Sequence, residues 1–187
     1  MRVIGGYFKG KKIIEPNDKN TRPLKDLTKE SIFNILKHSN KFSFSFENSN
    51  VLDLFSGVGS FGIECLSRGV KHVTFVENYL SVIKILKKNL SNLNQKNKYE
   101  IFEDNIFNAQ FIKKLNYKFD LIFLDPPYAE NKINSILDKI NDNSILSKEG
   151  IIIMHRPKKN YDQYPNYLNI IEKKKYGINQ IIFASLR

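Results

Sequence analysis

Cysteine is nearly absent: Cys65 stands alone in 187 residues, which excludes a disulfide scaffold. Long apolar runs are missing too, and none approaches the roughly 18 residues that a membrane span needs. Histidine is scarce and scattered at His38, His72 and His155, and no Cys/His cluster has metal-ligand spacing, so no metal is expected. The N-terminal stretch breaks at Gly5-Gly6 and then turns basic, which does not read as a signal peptide; a reduced, cytoplasmic setting is expected. Acidic residues are in deficit, with 19 Asp and Glu against 30 Lys and Arg and a net charge of +11. What is present is core material. Hydrophobic residues make up 41% and include 14 Phe and 9 Tyr, enough for one globular domain and too much for a disordered chain. Lysine supplies 25 of the basic residues, a bias that base composition alone can produce, so position says more than the total. Residues 1–41 hold 10 basic and 4 acidic side chains, over half the excess in under a quarter of the length. Such a local surplus suits a polyanion.

Residues 1–14 alternate weakly around glycines and read as a short hairpin, followed by a polar loop over 15–24. Leu27, Ile32, Phe33 and Leu36 recur at helical spacing, predicting a helix over 26–38; residues 39–50 read as a linker. From residue 50, strand-length apolar runs alternate with helical segments. The strands are expected at Val51–Phe55, His72–Glu77, Tyr99–Phe102, Phe119–Leu124, Gly150–His155, Leu168–Glu172 and Ile178–Ser185, with helices near 60–69, 79–93, 106–116 and 132–141. This order predicts an α/β fold: a Rossmann-like, mostly parallel seven-stranded sheet. Only Lys173–Gly177 separates the last two strands, too short for a parallel crossover, so the final strand should run antiparallel. The chain divides into a basic extension over 1–45 and a ligand-binding domain over 46–187.

The segment Val51-Leu52-Asp53-Leu54-Phe55-Ser56-Gly57-Val58-Gly59-Ser60-Phe61-Gly62 ends a strand and opens a helix. Its glycines spell a dinucleotide fingerprint, which alone is a weak signal. Free amides at a helix start suit an anion, either a pyrophosphate or an amino-acid carboxylate. The neighbouring carboxylates help to choose. Asp53, at the strand end, is awkward beside pyrophosphate but suits an ammonium or sulfonium. Glu77 ends the next strand, 18 residues past Gly59, where an acceptor grips ribose hydroxyls. Asp104, after the third strand, can accept from an adenine amino group. Together these residues describe a nucleoside joined to a charged amino acid, which is S-adenosylmethionine.

A second motif, Leu124-Asp125-Pro126-Pro127-Tyr128, runs a buried strand into two prolines and so makes a rigid corner with outward carbonyls. An exocyclic base amine is a poor nucleophile because its lone pair is delocalised into the ring. The Asp125 carboxylate and the Pro126 carbonyl can accept its two N–H bonds, and Tyr128 can stack on the base.

On these motifs the chain resembles class I S-adenosylmethionine-dependent methyltransferases with the Asp-Pro-Pro-Tyr signature. It is similar, more narrowly, to the bacterial small-subunit ribosomal RNA guanine-N2 methyltransferases of the RsmD family. That likeness rests on Arg2-Val3-Ile4-Gly5-Gly6 with Lys9-Gly10-Lys11, on Thr21-Arg22-Pro23 with Lys29-Glu30-Ser31-Ile32-Phe33-Asn34, and on the two motifs above. It departs at Leu24, where Thr is the family's residue, and at Asn179-Gln180 after Tyr176-Gly177. The resemblance implies methylation of a guanine 2-amino group in 16S ribosomal RNA, on the small subunit or its assembly intermediate, by a monomer. It implies a donor site of Asp53, Phe55, Ser56, Gly57, Gly59, Glu77, Asn78, Asp104 and Asn105, and a catalytic corner of Asp125, Pro126, Pro127 and Tyr128. RNA contacts are expected from Arg2, Lys9, Lys11, Lys12, Arg22, Lys25, Lys29 and Arg156.

Three other readings use the same residues. A DNA adenine-N6 methyltransferase would share the corner but needs more chain for sequence readout. An NAD-dependent oxidoreductase would use the glycine loop and leave Asp-Pro-Pro-Tyr without a purpose. A non-catalytic RNA-binding assembly factor would need neither. No Pro-Cys pair or late cysteine exists, which argues against a thiol-dependent pyrimidine C5 methyltransferase, and Cys65 fits a core position on the helix after the glycine loop. Lys173–Lys175 reads as a solvated hairpin turn, with an RNA contact as the alternative.

Overall fold

The computed structural model describes residues 1–16, 24–108, 111–115, 117–127, 130, 132–159 and 162–187. Near-continuous Val, Ile, Leu and Phe runs form strands that must be covered on both faces. These are β1 (Asn50–Leu54), β2 (His72–Val76), β3 (Tyr99–Phe102), β4 (Phe119–Leu124), β5 (Leu146–Pro157), β6 (Leu168–Tyr176) and β7 (Asn179–Leu186), in one sheet of order β3-β2-β1-β4-β5-β7-β6. The strands β3, β2, β1, β4 and β5 pair in parallel, while β7 lies between β5 and β6 and runs antiparallel to both. The chain steps outward one way from β1 and the other way from β4. A crevice therefore opens between their carboxyl ends, where ligands bind in such sheets.

Alternation along the strands sorts side chains onto two faces. Val51, Leu121, Phe123, Ile151, Ile153, Ile181 and Phe183 share one apolar layer with α1 (Asp26–His38), α2 (Ser60–Ser67) and α3 (Leu80–Ser91). Leu52, Leu54, Ile122, Leu124, Ile152, Met154, Ile182 and Ala184 share the other with α4 (Ile133–Asp142). In α4, Ile133, Ile136, Leu137 and Ile140 make the stripe that covers the sheet. In α1, Ile32, Phe33 and Leu36 face inward, with Asp26 in the first turn and Lys37 and His38 in the last, matching the helix dipole. Every residue of α2 is buried, Cys65 included, because α2 lies between the sheet and the N-terminal segment.

That segment packs as part of the same body. Arg2 and Lys12 form an antiparallel bridge, a minimal hairpin, and Val3, Ile13 and Leu24 join the apolar layer over α2. The 39–50 stretch is not a free linker. Phe42 packs 5.8 Å from Phe183 and Phe46 5.9 Å from Phe33, so its aromatics wall the core.

Two other expectations need correction. Among the described residues, 106–116 holds only a 3-10 turn at Ile112–Lys114. Asp104 accepts from the Asn105 amide and Asn105 Oδ1 from the Phe107 amide, and these local bonds compete with helical ones. The turns still drop Ile106, Phe111 and Ile112 into the core beside α4. Lys173–Lys175 is strand rather than turn: Tyr176 pairs with Asn179, so Gly177-Ile178 is the loop. The lysines sit on the edge strand β6, where charge discourages pairing with another sheet.

Candidate active site

A cleft of about 700 Å³ occupies the crevice, within the range of sites for drug-sized ligands. Its walls bring together Asp53 near the end of β1 and Phe55, Ser56 and Gly57 after it, Glu77 and Asn78 after β2, and Asp104 and Asn105 after β3. Asp125, Pro126 and Pro127 after β4 face the same space. The two motifs, far apart in sequence, thus meet in one cavity because β1 and β4 are neighbours. Tyr128 and Arg22 lie outside the described residues.

The floor is aromatic: Phe61 and Phe123 stack at 3.9 Å with an 11° interplanar angle. Phe55 takes φ 61°, uncommon for a residue with a Cβ, and turns the chain out of β1 into the glycine loop. Its ring and that of Phe107, 6.2 Å apart, offer apolar walls. Ser56 is pinned to β2, since its N–H and Oγ both donate to the Val76 carbonyl at 3.0 Å. Gly57 has φ 55°, and a Cβ there would meet no protein atom; it would stand in open space at the wall of the cleft. Gly59 is not among the residues that line the cavity. Its φ of 86° starts α2, and a Cβ would lie 2.5 Å from Leu86 Cδ1, so this glycine serves packing.

The acidic residues are held differently. Glu77 accepts from three backbone amides: Gly57 at 2.8 Å on Oε2, and Asn78 at 2.9 Å and Tyr79 at 3.0 Å on Oε1. That fills Oε1 and leaves one acceptor direction on Oε2. Asp53 is buried, and its Oδ2 accepts from the Gly62 amide at 2.9 Å. Burial pushes its carboxyl up to about 8; the Gly62 bond opposes this, and the charges of Asp125 and Glu77 add to it. Asp104 is held below the usual carboxylate range, chiefly by the Lys114 ammonium 2.6 Å from Oδ2. Asp125 Oδ1 lies 2.8 Å from His155 Nδ1. The Pro127 carbonyl is taken by the Glu130 amide at 2.8 Å. With Glu130, five carboxylates line the cleft, and among the described residues no Lys or Arg does.

Comparison with known proteins bears on this geometry. A family model described as Conserved hypothetical protein 95 matches residues 1–185. The Bacillus subtilis (strain 168) protein YlbH is 33% identical over 189 residues, covering 100% of both chains. A Haemophilus influenzae protein named Ribosomal RNA small subunit methyltransferase D is 32% identical, covering 95% of this chain and 90% of its own. The solved structure of yhhF from Escherichia coli superposes with a TM-score of 0.83 at 24% identity, covering 98% of this chain and 96% of that one. The chain belongs to the RsmD family. Its fold is that of class I methyltransferases, with the reversed strand β7 next to the edge.

In this RsmD-family member the N-terminal basic residues divide by burial. Arg2, Lys9, Lys12 and Lys25 are exposed. Lys11 is half-buried, with Nζ donating to the Asn92 carbonyl at the end of α3 and lying 5.4 Å from the Phe8 ring centroid. Lys29 and Arg156 are corrections, because neither side chain reaches a surface. Lys29 Nζ donates to the Arg2 carbonyl at 2.8 Å and to Ser60 Oγ at 3.1 Å, and lies 3.9 Å from Glu64. Burial lowers its pKa, with Glu64 and Asp26 opposing. Arg156 Nε and Nη2 donate to Asp162 at 2.8 and 3.0 Å, and Nη2 also to the Glu130 carbonyl at 2.8 Å.

The buried polar residues that hold the N-terminal segment went unread in the sequence. Glu64, fully buried on α2, accepts from the Ile4 and Gly5 amides at 2.7 and 2.8 Å and pairs with Arg68 at 2.9 Å. Asn89 on α3 exchanges bonds with Ile14 in both directions and donates to the Val58 carbonyl at 3.0 Å. The basic segment is therefore tied to both the glycine loop and the helix that follows it. Leu24 is buried at the cleft wall, so the residue that departs from the family pattern lines the site.

Proposed function

We propose that this protein transfers a methyl group from S-adenosylmethionine to the exocyclic N2 amine of a guanine in small-subunit (16S) ribosomal RNA. The observation that carries this reading is the acidity of the cleft: five acidic side chains, of which Asp53 gives up its proton when a cation binds, and no cation among the described lining residues, in a protein of net charge +11. A pyrophosphate would be repelled there, whereas a ligand with a sulfonium and an ammonium is attracted. The cavity volume, the aromatic floor and the missing Cβ of Gly57 suit a nucleoside of this size. When bound, the donor supplies a methyl group on a cationic sulfur.

The protein's part is chiefly positioning. Asp53 faces the ligand's ammonium end, Glu77 Oε2 accepts from a ribose hydroxyl and Asp104 from the adenine amine. At the corner, the Asp125 carboxylate and the Pro126 carbonyl accept the two N–H bonds of the target amine, and Asp125 or water takes the proton it loses. Tyr128 stacks on the base. Arg2, Lys9, Lys12 and Lys25 attract the RNA backbone, the protein acts as a monomer, and its setting is the cytoplasm. The names of the relatives support a ribosomal RNA substrate. Guanine over adenine rests on the family resemblance, since both amines fit the corner.

The test is transfer of labelled methyl from S-adenosylmethionine to small subunits from a strain lacking the gene, followed by nucleoside mass spectrometry. N2-methylguanine in ribonuclease-sensitive product is the expected result. Binding of NAD with no uptake of S-adenosylmethionine, or methylated adenine in DNA, would overturn the reading.

A further inference from the structure

Methyl transfer sets Asp125 a demanding task. Its carboxylate must present one oxygen to a planar amine, yet it stands in a cleft whose other carboxylates repel it. A free Asp side chain rotates about two bonds, and nothing in the Asp-Pro-Pro-Tyr motif itself fixes that rotation; the prolines stiffen only the backbone. The sheet supplies the missing restraint. In the parallel pairing of β4 and β5, Leu124 is opposite Met154. The next residue on each strand is Asp125 and His155, so the register delivers both side chains together to the carboxyl edge. His155 Nδ1 stands 2.8 Å from Asp125 Oδ1, with side-chain exposures of 9% and 20%.

We infer that His155 is a positioning residue for methyl transfer: its Nδ1–H donates to Asp125 Oδ1 and leaves Oδ2 to accept from the amine. The chemistry of the pair favours this arrangement. An ionised carboxylate is acceptor-only, so the imidazole nitrogen facing it must carry the hydrogen. A bond to a charged acceptor is among the stronger ones a side chain makes, and stronger still away from water. An imidazole can give Asp125 this donor without being a permanent cation, whereas a Lys or Arg would lower the basicity of the carboxylate and repel a cationic methyl donor. During transfer the amine nitrogen forms its bond to the methyl carbon as the carbon–sulfur bond breaks, and that electron pair stays on sulfur. The extra proton leaves the nitrogen for Asp125 Oδ2 and passes to water, while His155 keeps its Nδ1 hydrogen throughout.

The neighbouring residue reinforces the same corner. Arg156 Nη2 donates to the Glu130 carbonyl at 2.8 Å, just beyond the prolines, while Asp162 holds its guanidinium from the other side. The end of β5 thus grips the corner at two points, one on the reacting carboxylate and one on the chain leaving it.

This inference rests on the proposed methyl transfer, and the experiment separates the two. Wild type, His155→Ala and His155→Asn are compared for methyl transfer under saturating donor and RNA, for donor affinity by calorimetry, and for thermal unfolding. Imidazole ¹⁵N and ¹H NMR of the wild-type protein without ligands reports the tautomer. The expected result is an Nδ1–H tautomer with a slowly exchanging proton, kcat lowered about ten- to hundred-fold in His155→Ala, donor affinity within about three-fold of wild type, and most of the rate regained in His155→Asn, whose amide keeps a donor facing Asp125. Full activity in His155→Ala, equal losses in both variants, or a wild-type Nε2–H tautomer would overturn the assignment while leaving the methyltransferase reading intact. A wild-type protein that transfers no methyl to the RNA would instead end that reading. Should His155→Ala fail to fold, the tautomer and the His155→Asn rate still decide.

Discussion

The cleft and the N-terminal face carry opposite charges within one small body. Asp53, Glu77, Asp104, Asp125 and Glu130 line the cavity, while Arg2, Lys9, Lys12 and Lys25 stand exposed on a segment packed against the helix that opens from it. They also differ in how their charges are held. The cleft carboxylates are pinned by backbone amides, by Lys114 or by His155. Three of the four exposed cations, Arg2, Lys9 and Lys12, end on or beside a hairpin made of one bridge. A site that must hold a small ligand in one pose needs fixed dipoles, whereas a surface that attracts a long polyanion needs only charge density. The cleft is where geometry selects, and the basic face is where encounter is promoted.

The contrast can be broken at several points. Removing the corner carboxylate should have the largest effect: Asp125→Ala is expected to lower methyl transfer by about 10²–10⁴-fold, with donor binding nearly unchanged by calorimetry. Next comes the polar clamp that joins the two regions. Glu64→Ala strips a buried carboxylate from the Ile4 and Gly5 amides and from Arg68 and Lys29, and should cost about 3–5 kcal/mol in urea unfolding.

The third point is pH. With the Asp53 carboxyl raised to about 8, the folded protein holds a proton there that the unfolded chain releases near pH 4. Stability contributed at this site is therefore lost as pH rises from about 4 to about 8, and Asp53→Asn should remove that slope in thermal melts. A cationic ligand favours the ionised form, so donor binding should release a proton and tighten with rising pH below about 8, by at most tenfold per pH unit. Calorimetry in two buffers of different ionisation enthalpy measures the release.

The smallest effects belong to the basic face. Lys9→Ala and Lys12→Ala should each reduce the salt slope of RNA binding by about one and leave donor affinity alone. Lys29→Ala, by contrast, should lower stability and leave that slope unchanged, because its ammonium is bonded inside the protein.

Lys29 shows why some of the site was not legible in the chain. A lysine near other lysines reads as surface charge, and only the packing of α1 on α2 turns it inward to Ser60 and Glu64. Arg156 follows the same logic, since Asp162 and the Glu130 carbonyl claim it once β5 ends beside the corner. That the described residues of 106–116 hold no α-helix has a local cause: the Asp104 and Asn105 side chains bond the backbone. Glu77 and Asp125 were legible because each ends an apolar run, and a buried strand in a parallel sheet delivers its next residue to the crevice; Asp53 was legible as the one charge inside such a run, just before the glycine loop. His155 ends such a run as well and could have been found by aligning the ends of β4 and β5, but strand register is a long-range property.

The order of the seven strands and of α1 to α4, the reversed final strand and the two motifs were set by residue pattern alone, since periodicity and chain-length limits act locally. Which charges face solvent, which glycine shapes the wall and which packs, and what grips Asp125 were decided by tertiary structure. Those outcomes depend on neighbours brought from 27 to 60 residues away, as Arg2 and Glu64 are to Lys29 and to Ile4, and burial by such neighbours changes what a charged side chain can do.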